Sequence, residues 1–458
     1  MGYTKQAIAA FSASLPIFIV GCWLTWPSVA LYKWQTKEYV LPFELDAEKV
    51  SWVVATMDLG NILSPIPSGY IMDKFGRKNT LLLTSLVFLT SSLLTIFAQS
   101  SYWLFTSRLL SGIGKGVGFT VVPMYIAEIT DKEIRGTLST MFTGHLYGGI
   151  LFSLCVGPYI QYQTLNIILG VIPLVFFITF MFIPETPYFH IIKDNNQVAA
   201  KKSLEWFKGK SQNITEELDE IVLTTNENMK NKSGYRELVS NYSYRKALII
   251  VLVTSFLQRL SGVSTILSYA STTLPEHHGL IGRTECLIIF SVLLVVTNFA
   301  CSPLVDIAGR KTLNMLSAFL SSGVMIVLAA CFYWNFDYWV SYLFTSLFGI
   351  TYSLGIGIIP TTLLSELFPT NVKSSAASIA SIAFALASFL INKFYKIVQI
   401  NFGLYYMFAF YAICSGINVL FTFFFIFETK GKSFQQIQNI LKKKTATTQS
   451  NEYIMNGK

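Results

Sequence analysis

The chain is built from long apolar runs separated by short polar junctions. Twelve such runs stand out, at about 9–32, 50–72, 80–98, 102–126, 137–160, 165–183, 246–272, 285–305, 313–333, 338–364, 376–398 and 404–427. Each approaches or exceeds the roughly 20 residues that a helix needs to cross the hydrocarbon core of a bilayer. None alternates strictly between apolar and polar positions, so the runs do not read as strands of a membrane barrel. The pattern predicts an all-α membrane protein with twelve transmembrane helices. The first run is long, holds Pro16 and Pro27, and is followed by no small-residue cleavage site, so it is expected to stay as a span rather than leave as a leader peptide.

Residues 184–245 form the one long polar segment between spans. It divides the chain into an N-terminal six-helix bundle (1–183) and a C-terminal six-helix bundle (246–427), followed by a tail (428–458). Within the segment, Ile214, Leu218, Ile221 and Val222 recur at helical spacing, so short amphipathic helices are expected there. The two halves repeat each other. Asp73-x3-Arg77 recurs as Asp306-x3-Arg310, Glu128-x6-Arg135 as Glu366-x6-Lys373, and Pro184-Glu185-Thr186 as Phe427-Glu428-Thr429, at offsets of 233, 238 and 243 residues. Two related six-helix bundles facing each other across a central site are a transporter architecture.

Composition agrees with the pattern. The 458 residues are 52% hydrophobic and 13% charged, about half the charged share of a soluble domain. The net charge of +9 reads as topology rather than nucleic-acid binding. With the N-terminus inside, 25 of the 34 Lys and Arg fall in the tails, the central segment and the inner junctions. Only Lys33, Lys37, Lys49 and Arg283 lie in outer loops, so both termini are expected in the cytoplasm. The six cysteines are scattered without a CxxC pair and read as apolar filler, not a metal site. No phosphate-binding GxxxxGK[ST] stretch is present, and no cofactor is expected. Gly112, Gly114, Gly116 and Gly118 read as small positions that let the fourth span pack closely on a neighbour. The pattern carries no signal for an oligomeric state.

The junctions DKFGRK (73–78) and DIAGRK (306–311) must each reverse the chain between two spans. Gly76 and Gly309 supply the turn, and each Arg can pair with a carboxylate from a neighbouring helix end: Glu128 or Glu185 in the first half, Glu366 or Glu428 in the second. Such pairs would hold the inner face shut in one state and break in the other; the plainer alternative is a static anchor at the membrane surface. Charges inside spans are costly and face a cavity or a partner. Asp58 and Arg259 are the unexpected ones: either contacts substrate, or each belongs to an intramembrane ion pair.

PMYIAEITDKEIRG (123–136), RLLSGIGKG (108–116), PETP (184–187), QRLSG (258–262), SELFPT (365–370) and FETKGKSF (427–434) together resemble the sugar porter family of the major facilitator superfamily. The run MDLGNILSPIPSGYIMDKFGRK (57–78) resembles the insect facilitated trehalose transporters within it. The resemblance implies the major facilitator fold, a cell-membrane location and a facilitative carrier of a small solute, with a sugar such as trehalose or a hexose as substrate. It also implies gating roles for Asp73, Arg77, Arg108, Glu128, Arg135, Glu185, Asp306, Arg310, Glu366, Lys373 and Glu428. For substrate it points to Gln258, Ser264, Thr143 and Thr361; Tyr269 and Asn298 enter by their place in the spans alone. Several of the family's sugar-binding positions are replaced here: Arg259 for the second Gln, Ser264 for Asn, Thr143 for Gln, Thr361 for Trp and Phe384-Ala385 for the Asn-Trp pair of span eleven. Those losses leave open a carrier of another polar or anionic solute, or a transporter-like sensor. The first span holds no Asp or Glu, where proton-coupled members resemble one another in having one, which favours facilitated diffusion.

Overall fold

The computed structural model describes residues 2–131, 134–209, 214–230, 234–277, 281–432 and 435–441. The first half runs α1 (Gly2–Gln35), α2 (Ala47–Leu63) with α3 (Pro65–Phe75), α4 (Arg77–Ile96), α5 (Ser101–Ile129), α6 (Arg135–Val156) and α7 (Tyr162–Met181). Four short helices follow: α8 (Pro187–Asp194), α9 (Gln197–Lys208), α10 (Ile214–Lys230) and α11 (Tyr235–Ser240). The second half is α12 (Tyr242–Leu260) with α13 (Val263–Thr273), α14 (Arg283–Ala308), α15 (Arg310–Trp334), α16 (Tyr338–Leu354) with α17 (Ile359–Leu367), α18 (Thr370–Asn401) and α19 (Leu404–Phe425). Among the described residues, eleven helical stretches are long and apolar enough to cross a membrane unaided. The twelfth path, α2 with α3, falls short only because Pro65 at the start of α3 interrupts the helix at Ser64. Similar breaks occur at Ser261–Gly262 and around Gly355, where the chain needs backbone that α-helix does not supply.

Close packing within the first half rests on glycine. A methyl at Gly112 would overlap the Met57 carbonyl, and one at Gly60 would overlap the Leu109 carbonyl, so α2 and α5 touch backbone to backbone. The expected small-residue seam of the fourth span is therefore a seam against the second. Large apolar side chains such as Ile167, Val171 and Ile178 on α7 and Ile413, Ile417 and Leu420 on α19 point outward and stay exposed.

The start of α1, the short helices α8–α11 and the end of the described tail share one end of the molecule, the terminal face. There Lys208 pairs with both Asp131 and Glu217, and Gln6 donates to Asp131 at 2.8 Å, tying α9 and α10 to α1 and the end of α5. The two halves meet through α1 on α13, α2 on α18 and α6 on α14. Among the described residues, the hydrogen bonds that cross between halves lie at mid depth or toward the far face. Ser271 bonds Ser28, the Tyr159 hydroxyl donates to Glu285 at 3.3 Å, Lys393 donates to Ser51 at 2.9 Å and Asn392 donates to Asp58 at 2.9 Å. The structure is latched at the far face.

Candidate functional site

Two charge clusters occupy the terminal face, one per half. Gly76 takes φ +94° and Gly309 φ +88°, each between two spans, and each lets the following Arg start the next helix. Arg77 Nη2 lies 2.9 Å from Glu128 Oε1, with Nε at 3.1 Å, while Asp73 sits 3.8 Å away on the preceding turn. The other Glu128 oxygen accepts from Thr186 at 2.6 Å. In the second half Arg310 Nη2 lies 2.7 Å from Glu366 Oε1, with Nε at 3.0 Å, and Thr429 donates to the other Glu366 oxygen at 2.6 Å. Glu185 accepts from the backbone N–H of Lys78 at 2.9 Å. Glu428 likewise accepts from Arg310 and Lys311, at 2.9 and 3.2 Å. The Arg–Glu–Thr core of the two clusters matches atom for atom, and each cluster ties helix ends within its own half rather than joining the halves to each other. The side chains of Arg135 and Asp306 lie outside the described residues. Lys373 is half-buried on α18 and makes no ion pair among the described residues.

The clusters differ in one respect. Burial pushes Glu185 up to about 7. Burial also works against Glu428, but four backbone N–H groups, from Arg310, Lys430, Lys311 and Thr429, outweigh it and hold that carboxyl below its ordinary value.

A second polar layer lies at mid depth, between the halves. Lys115 on α5 and Asp58 on α2 form a buried ion pair at 2.8 Å. Asn392 on α18 adds its amide to the other Asp58 oxygen and to Ser264 at 3.0 Å, so the pair reaches across into the second half. Arg108 is buried with Nε on the Val53 carbonyl (3.0 Å) and Nη1 on the Trp23 carbonyl (2.7 Å), its guanidinium near the rings of Trp23 and Trp26. Arg108 is thus a brace within the first half, away from the terminal-face clusters with which its sequence motif groups it.

The sequence-predicted substrate residues divide in two. Gln258 is buried on α12 and donates to the Tyr352 hydroxyl at 3.3 Å and the Gly357 carbonyl at 3.0 Å, which joins α12 to the break before α17. Ser264 takes the Asn392 bond, and Asn298 on α14 donates to the Tyr147 hydroxyl on α6 at 3.3 Å across the halves. These three share the mid-depth layer. Tyr269 turns instead into the second half, stacked on Tyr395 with its hydroxyl on the Asn392 carbonyl. Thr361 is exposed and bonds back to the Ile358 carbonyl, and Thr143 is half-buried on α6. The sequence reading missed Asn392 and Tyr147. A lone amide inside the apolar run 376–398 was the available signal for the first; the partner that gives it meaning lies 334 residues away.

Residues 7–441 match the family described as "Sugar (and other) transporter". The chain belongs to that family. Among curated members it is 29% identical over 442 residues to the facilitated trehalose transporter Tret1 of Polypedilum vanderplanki, covering 94% of this chain and 87% of that one. It is 28% identical to Tret1 of Bombyx mori, covering 94% and 86%. The inward-open xylose transporter XylE of E. coli superposes with a TM-score of 0.81 at 21% identity, over 94% of this chain and 98% of that one. XylE bound to 6-bromo-6-deoxy-D-glucose superposes at 0.75 over 96% and 100%. The likeness to XylE establishes the shared major facilitator fold. As a member of the family the chain is a multi-pass membrane transporter, not an enzyme.

Proposed function

We propose that the protein carries a small sugar, trehalose or a hexose, across the cell membrane by facilitated alternating access, with both termini in the cytoplasm and the exposed apolar faces in lipid. Residues 1–183 and 246–427 act as the two moving bundles, with 184–245 as a cytoplasmic linker and 428–458 as a tail. The observation that carries this reading is the pairing of two features. Each half holds a rigid charge cluster of its own, and the halves meet along α1–α13, α2–α18 and α6–α14, with the hydrogen bonds that cross among the described residues at mid depth and toward the far face. Halves that are each stiff inside and share no such bond at the terminal face can rock as bodies about the layer between them. With the termini inside, the latched far face makes this the inward-facing state.

The proposed gating charges are Asp73, Arg77, Glu128, Arg135, Glu185, Asp306, Arg310, Glu366, Lys373 and Glu428, with Arg108 as a brace. Within this reading the clusters keep each half rigid, and the gate is Asn392–Asp58 at mid depth with Ser28–Ser271 toward the far face. Gln258, Ser264 and Asn298 line the substrate path. Trehalose or glucose hydroxyls would exchange with the present Tyr352, Asn392 and Tyr147 partners of these groups. The absence of an acid in the first span supports downhill movement without a proton. Uptake of labelled trehalose and glucose in oocytes at two external pH values tests it. Saturable, pH-independent uptake is the expected result. Uptake that rises strongly with external acid would overturn the facilitative mechanism.

A further inference from the structure

One charge at mid depth has no counterpart. Four side chains charged at neutral pH lie well inside the spans: Asp58, Arg108, Lys115 and Arg259. Asp58 is taken by Lys115 and Asn392, and Arg108 is held by two carbonyls. Arg259 has none of this. Its guanidinium lies 3.6 Å from the centroid of the Phe384 ring, Nε is buried without a partner, and among the described residues it donates to no protein acceptor. A ring face attracts a cation but does not neutralise it. A guanidinium with no carboxylate hydrogen-bonded to it in a region of low dielectric is a site for an anion, and its planar fork fits a carboxylate with two parallel hydrogen bonds.

The surroundings say what else such a ligand carries. Arg259 lies near enough to Tyr352, Asp58 and Tyr147 to interact electrostatically with all three, but Asp58 is hydrogen-bonded to Lys115 and Asn392 rather than to Arg259. Beside it, Gln258 and Asn298 bond the Tyr352 and Tyr147 hydroxyls. These are neutral donors and acceptors of the kind that pair with hydroxyls. One cation next to several amides and phenols fits one negative charge on a hydroxyl-rich body better than the two charges of a phosphate ester.

We propose that the mid-depth site takes a sugar bearing a carboxylate, with Arg259 as the charge partner of that carboxylate and the Gln258–Tyr352 and Asn298–Tyr147 pairs facing its hydroxyls. The proposal rests on the carrier reading and narrows its substrate from neutral sugars to monoanionic ones.

The test uses the full chain in proteoliposomes with labelled D-glucuronate, D-glucose and trehalose, and with glucose 6-phosphate as a dianionic competitor. The wild-type protein is expected to take up glucuronate saturably and at least about tenfold more effectively than glucose, as a lost charged hydrogen bond implies. Glucose 6-phosphate competes weakly. Arg259→Gln is expected to abolish the preference for glucuronate over glucose, and Arg259→Lys, which keeps charge but not the fork, to retain part of it. The wild-type competition alone decides the matter if a variant fails to fold. Neutral sugar uptake that ignores excess glucuronate overturns this inference and leaves the carrier reading standing. No uptake of any of the three by protein with a normal melting curve overturns both.

Discussion

Replacing Asn392 with Leu removes the amide that crosses the two halves at mid depth while keeping its branched shape. Its Nδ2 donates to Asp58 at 2.9 Å and to Ser264 at 3.0 Å. Ser264 belongs to the same half as Asn392, so only the bond to Asp58 bears on the balance between states. A hydrogen bond to a charged group contributes about 1.5–3 kcal/mol. The Asn392 Oδ1 is buried without a partner, which offsets part of that gain and places the net effect near the lower bound. Loss of about 1.5–2 kcal/mol shifts the equilibrium toward the outward-facing state by roughly ten- to thirtyfold. Spin labels at the far-face ends of α2 and α18, read by pulsed dipolar spectroscopy, would follow the shift as growth of a long-distance population. A distance distribution within twofold of wild type, in protein that still folds, would refute the assignment of this bond as a latch between the halves.

Further predictions rest on other contacts. Lys115→Met strands the Asp58 carboxylate, at about 3–5 kcal/mol, and adding Asp58→Asn recovers most of the loss; chemical unfolding in mixed micelles measures the cycle, and simple additivity contradicts the pair. Ala at Gly76 meets both a positive φ and the Glu185 carboxylate, and Ala at Gly309 likewise meets Glu428, so each is expected to lower the thermal midpoint well beyond Ala at the open Gly323. Glu185 is raised in the folded protein, so its contribution is fully present below its ordinary value near 4.5 and is lost as pH rises through about 7. Stability is therefore expected to fall between pH 5 and 8 by an amount on the order of 3 kcal/mol at most, and Glu185→Gln to flatten that slope; an unchanged slope in thermal melts contradicts the burial argument.

Much of the fold was legible because apolar runs of helical length and charged junctions are local signals. The doubled Gly-Arg junctions and their downstream carboxylates could be matched by spacing alone, and the structure places Arg77 on Glu128 and Arg310 on Glu366. What those pairs join was not legible. Spacing says that an Arg and a Glu can meet, not whether they belong to one rigid half or bridge two. The mid-depth layer was harder still. Asp58 and Arg259 were conspicuous as charges in apolar runs, yet only packing shows that Asp58 is satisfied by Lys115 while Arg259 is left facing Phe384. Tyr269 sat at a plausible place in its span, but helix rotation turns it onto Tyr395. Rotation about a helix axis is set by the neighbours, and a run apolar on all sides does not encode it.

The central claim is that two rigid halves expose one site to each side in turn. Counterflow in proteoliposomes tests it most directly, with unlabelled trehalose, glucose or glucuronate loaded inside and a trace of the same labelled sugar outside. The account predicts a transient overshoot of label above equilibrium for at least one of these sugars, because a carrier returning loaded exchanges solute across the membrane. A monotonic rise to equilibrium would contradict alternating access and point to a pore, and absence of any entry would contradict transport itself.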